Sequence, residues 1–64
     1  MRNIQPGMNV AKQRRKITHL IDTAPVEHVP YLLSVLEMFD FEVAHGRPTP
    51  ASEFIPMYHE EFGL

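Results

Sequence analysis

The sequence predicts a mainly α-helical fold: a small hairpin of two helices, followed by a C-terminal helical or extended segment and completed by dimerisation. Three observations carry this. Apolar residues recur at helical spacing in two stretches, Ile17, Leu20, Ile21 and Ala24 and then Leu32, Leu33, Leu36 and Phe39. Pro25 and Pro30 punctuate the chain between them. With 64 residues and no cysteine, one copy buries little core and has no disulfide to help, so a second subunit is the expected support.

The elements follow in order. Residues 1–8 read as an irregular lead-in, because Pro6 and Gly7 interrupt them. From Asn9, a natural N-cap, a first helix is expected, with Lys12, Arg14, Arg15 and Lys16 one to two turns upstream of its apolar face. The sequence Asp22-Thr23-Ala24-Pro25 ends it, since the residue before a proline is pushed out of the α region. Pro25 opens a single turn, and Pro30 suits the first position of a second helix, where a missing N–H costs nothing.

That second helix, 30–40, is apolar on two sides. Val29, Leu32, Leu33, Leu36 and Phe39 define one face, and Tyr31, Val35 and Met38 another. The first helix offers a single stripe, so the Val29–Leu32–Leu33–Leu36–Phe39 face is assigned to a homodimer interface, closed two-fold pairs being the commonest assembly. The chain's own C-terminal segment is the competing cover. Phe39, Phe41 and Val43 then alternate with Asp40, Glu42 and Ala44, and this period of two predicts a short strand over 39–45. The domain organisation is thus a helical dimerisation core at 9–45, a Pro-rich linker at 46–52 and an acidic aromatic segment at 53–64. In the last, Ser52 is the expected cap, which puts Pro56 at the fourth helical position.

Charge is segregated. Residues 1–16 carry five basic side chains and no acid, and residues 17–64 carry eight acids against Arg47 alone, or +5 and then −7, for a net −2. Lys12, Arg14, Arg15 and Lys16 are therefore nucleic-acid candidates, weighed against a solvated helix face. The acidic segment presents Phe54, Met57, Tyr58 and Phe62, aromatic and sulfur side chains suited to docking on a partner protein. Its other reading is closure of the chain's own core.

Several classes are set aside. His19, His28, His45 and His59 include no pair at i, i+3 or i, i+4, so no metal site is expected. No Gly-rich phosphate loop, serine elbow or fixed His–acid spacing occurs, so neither an enzyme nor a cofactor is expected. No apolar run approaches the roughly 18 residues of a membrane span and the start has no signal-like h-region, which predicts a cytoplasmic chain without a membrane partner.

The layout of basic N-terminal part, helical dimerising centre, linker and acidic aromatic C-terminal part resembles that of the small antitoxin components of bacterial toxin–antitoxin pairs. The stretch ITHLIDTAPVEHVPYLLSVLEMFD also resembles the "LI…LP.E..P.LL.FL" run of small helical proteins of that kind. The resemblance covers about 24 residues of the 64. It implies an N-terminal part that dimerises and binds operator DNA and a C-terminal part that wraps a toxin, and it carries no individual residue's role across. A small phage or mobile-element inhibitor, laying an acidic segment in a basic groove, has the same look. The function expected is that of a small regulator or inhibitor binding another protein, the alternative being a nucleic-acid-binding transcriptional regulator using the basic first helix.

Overall fold

A computed structural model describes residues 9–64, and the lead-in expected at 1–8 lies outside them. Three helices are found among these residues: α1 (Val10–Thr23), α2 (Val29–Ala44) and α3 (Ala51–Phe62), with a 3₁₀ turn at Val26–His28 between the first two. The mainly α class is as the sequence predicts.

Asn9 caps α1 as its residue type favours, in extended conformation with Oδ1 accepting from the Lys12 N–H at 3.0 Å. Ala24 ends the helix in extended conformation ahead of Pro25. Pro25 then leads the 3₁₀ turn, and Val29 begins α2 with Pro30 next. The first four N–H groups of a helix lack internal partners, so a proline there removes nothing.

The predicted strand at 39–45 is instead the last part of α2, which runs unbroken to Ala44. The alternation misled because Phe39 and Val43 are also four apart. On a helix both turn inward, Phe39 fully buried and Val43 partly, while Phe41 points out to solvent. A strand here would have had no mate among the described residues, whereas helical backbone satisfies itself. Gly46, at φ 75°, stops the helix: its N–H donates to the Val43 carbonyl and that of Arg47 to the Glu42 carbonyl, a left-handed closure that glycine adopts without strain.

The 46–52 linker is shorter than expected and tied at both ends. Glu42 Oε1 accepts the Thr49 N–H at 2.8 Å, and Ala51 already begins α3, so Ser52 lies inside the helix rather than capping it. The first N–H of α3 is taken by a side chain from another helix: Gln13 Oε1 accepts it from Ala51 at 2.8 Å, and both residues are buried. Left unpaired, that donor would cost about 1–3 kcal/mol, which makes Gln13 the pin between α1 and α3. Pro56 falls at the sixth position of α3 rather than the fourth. Its ring crowds the Ser52 carbonyl and leaves it without a donor, tolerable because Ser52 is exposed to water.

The core is built from all three helices. Ile17 of α1, Val35 and Phe39 of α2, and Ala51 and Phe54 of α3 pack together, with Ile21, Tyr31, Leu36 and Val43 against them. Outside it, the exposed Arg14 side chain forks onto Asp40, Nε to Oδ1 at 3.0 Å and Nη2 to Oδ2 at 3.1 Å, tying α1 to α2. Hydrogen bonding to Arg14 holds the Asp40 carboxyl below its ordinary range. Since the folded carboxyl titrates lower than the unfolded one, the pair favours the fold above the usual Asp range and stops doing so as the pH falls through it.

Candidate functional site

Three surfaces could carry function, and each can be built from its residues. The first is an aromatic seam that holds the end of α3 to the start of α2. His28 stacks on Phe62 with ring centroids 3.8 Å apart, and its Nδ1 shares a hydrogen bond with the Tyr58 hydroxyl at 2.9 Å. Tyr31 stacks on Tyr58 and meets Phe62 edge-on. Tyr58 is buried and His28, Tyr31 and Phe62 are partly so. This is a clasp within the chain, and its polar ends satisfy each other.

The second surface is the outward side of α2. Leu33, Met38 and Phe41 are 46%, 51% and 63% exposed. Leu33, Glu37 and Phe41 stand four apart along one row, with Met38 beside it. At its C-terminal end, Met38, Phe41, Glu42, His45 and Arg47 line an open recess. His45 is held over it by packing its ring at a tilt against Phe41, centroids 4.1 Å apart, and by donating from Nδ1–H to the Phe41 carbonyl at 2.8 Å, which leaves Nε2 facing away from that bond.

The third surface is the outward side of α1. Lys12, Arg15, Lys16 and His19 lie at i, i+3, i+4 and i+7, all exposed, opposite the inward Gln13, Ile17 and Ile21. Arg14 leaves this face for Asp40. The four basic residues grouped by the sequence are therefore two sets: three on the outward stripe and one committed to the fold.

The residues assigned to a dimer are placed otherwise. Leu32 and Phe39 are fully buried within one copy, Val29 and Leu36 partly, and Leu33 alone of the five is well exposed. Both α1 and α3 contribute to the cover: the C-terminal segment, which the sequence offered as the competing cover beside a second copy, packs on α2 within one chain. Of the residues assigned to partner docking, Phe54 and Tyr58 are buried in the chain's own core and Phe62 is stacked in the seam. Met57 is exposed. Reaching the other three would require α3 to leave the core.

Sequence reading passed over Gln13, His28 and Asp40. A signal existed for Gln13, four residues before Ile17 and seven before Leu20 on the same face. Asp40 and His28 gain their roles only from partners 26 and 30 residues away. Among the described residues no three His, Asp or Glu side chains gather as metal ligands, and no helix is long and apolar enough to cross a membrane. Protein-family models, curated proteins and solved structures contain no match to this chain.

Proposed function

We propose that the protein is a small non-enzymatic regulator or inhibitor that binds another protein through the outward side of α2. The observation that carries this is the solvent-exposed group Leu33, Met38 and Phe41 on a helix whose opposite side is already buried. A Phe, a Met and a Leu on a rigid helix are suitable anchors for a partner's groove.

Charge supports one chemistry for the partner. Residues 24–64 carry seven carboxylates, Glu27, Glu37, Asp40, Glu42, Glu53, Glu60 and Glu61, against the single Arg47. Glu37 stands within the apolar row itself and makes no ion pair among the described residues. The complementary surface is apolar at its centre and basic around it, as in a groove that otherwise takes nucleic acid. The role thus suits an inhibitor or an antitoxin-like regulator.

The test places a photo-crosslinking phenylalanine analogue at Phe41 and, separately, at Met57 on α3, in cells of the source organism. The expected result is one protein adduct from position 41, whose contact peptide is basic and apolar, and none from position 57. Phe41→Glu should lower affinity for that protein at least tenfold while leaving the unfolding midpoint in place, because the side chain is solvent-exposed. Adducts from position 57 alone, or self-adducts alone at position 41, would overturn this reading, the latter in favour of a homodimer.

A further inference from the structure

We infer that the outward side of α1 is a phosphate-backbone site, contacting nucleic acid through Lys12, Arg15 and Lys16 but not through Arg14. This surface lies on a different helix from the proposed protein-binding face, so either can fail alone. Three features support it. The stripe is continuous: Lys12, Arg15, Lys16 and His19 span about 10 Å along the helix axis, and each is solvent-exposed. It stands apart from the chain's acids, for the first turn of α1 has none and the one ion pair among the described residues uses Arg14 instead. Asp22, one turn beyond His19, is the only carboxylate on the helix.

The third feature is what the stripe lacks. From Lys12 to His19 it exposes no large apolar side chain. Protein interfaces are anchored by aromatic and apolar groups and are poor in lysine. A phosphate backbone needs only cations in a row, and their neutralisation of phosphates releases counterions. The chemistry therefore favours nucleic acid over an acidic protein surface. The site is inferred for phosphate contacts, which position a protein on nucleic acid without carrying sequence information.

The geometry makes an unusual demand of two adjacent arginines. Arg15 makes no ion pair among the described residues, while Arg14 is forked onto Asp40. Binding of a short mixed-sequence DNA duplex, followed by fluorescence anisotropy as a function of salt, should show three contacts, a log–log slope of about −2.7. Affinity then falls about 40-fold between about 50 and about 200 mM salt. Lys12→Gln, Arg15→Gln or Lys16→Gln should each reduce the slope by about 0.9, and Arg14→Gln should leave it unchanged. Circular dichroism on each variant confirms the fold. No binding by the folded wild type at low salt would overturn the proposal, as would an Arg14→Gln effect equal to that of Arg15→Gln. Equal affinity for polyglutamic acid of matched length would overturn it too, in favour of a general polyelectrolyte contact.

Discussion

Ending the chain after Pro50 is expected to unfold it. The cut removes Ala51, Phe54 and Tyr58 from the buried set and strips the cover from Ile17, Val35 and Phe39. It also takes away the Ala51 N–H that satisfies Gln13, leaving a polar side chain among apolar ones. Burial of Phe54 and Tyr58 alone is worth about 1.5–3 kcal/mol each. A domain of this size has a total stability of about 3–10 kcal/mol, so the loss consumes most or all of it. Circular dichroism on the shortened chain should show little cooperative unfolding at 25 °C. A truncated chain that melts cooperatively at the wild-type midpoint would return α3 to the role of a tethered docking segment.

Phe39→Ala is expected to cost about 3–5 kcal/mol, the range for emptying a fully buried phenylalanine site. The cost should be independent of protein concentration, because the cavity opens between helices of one copy. Had Phe39 been a dimer contact, the midpoint of wild type and variant would both shift with concentration. Leu33→Ala, at an exposed position of the same helix, should change stability by about 0.5 kcal/mol or less. Unfolding curves at two concentrations spanning a hundredfold read both effects. Equal costs at the two positions would contradict the assignment of Phe39 to the interior and Leu33 to the surface.

Much of the fold was legible because its signals are local. Asn9 as a cap, Pro25 before a turn and the Ile17–Ile21 face depend on neighbours within a few residues, and all appear as the sequence implies. The end of α2 was illegible for a geometric reason. Residues 39 and 43 satisfy both a period of two and a spacing of four, and pattern alone does not decide between them; among the described residues no partner strand is present. The C-terminal segment posed a different difficulty. Its aromatic residues, Phe54, Tyr58 and Phe62, share a helical spacing, but spacing does not say whose core they enter. That is settled by Gln13 and His28, whose partners in α3 lie 38 and 30 residues away.

The candidate surfaces were legible in kind but not in membership. The basic run could be seen at once, yet a run of adjacent cations wraps around a helix, and one of them must face its neighbours. Arg14 is that residue, and Asp40 is placed to receive it. Likewise the surplus of apolar residues on α2 was evident. Which side stays outside depends on where α1 and α3 pack, and the side left over is Leu33, Met38 and Phe41 rather than Leu32 and Phe39.

The placement of both proposed surfaces rests on α3 belonging to the core, and native-state hydrogen exchange of the full-length chain tests that most directly. If α3 is core, the amides of Tyr58 and His59 open only with the whole molecule, with free energies within about 1 kcal/mol of that for Phe39. Exchange of the α3 amides through local opening, several kcal/mol below that of Phe39, would contradict it.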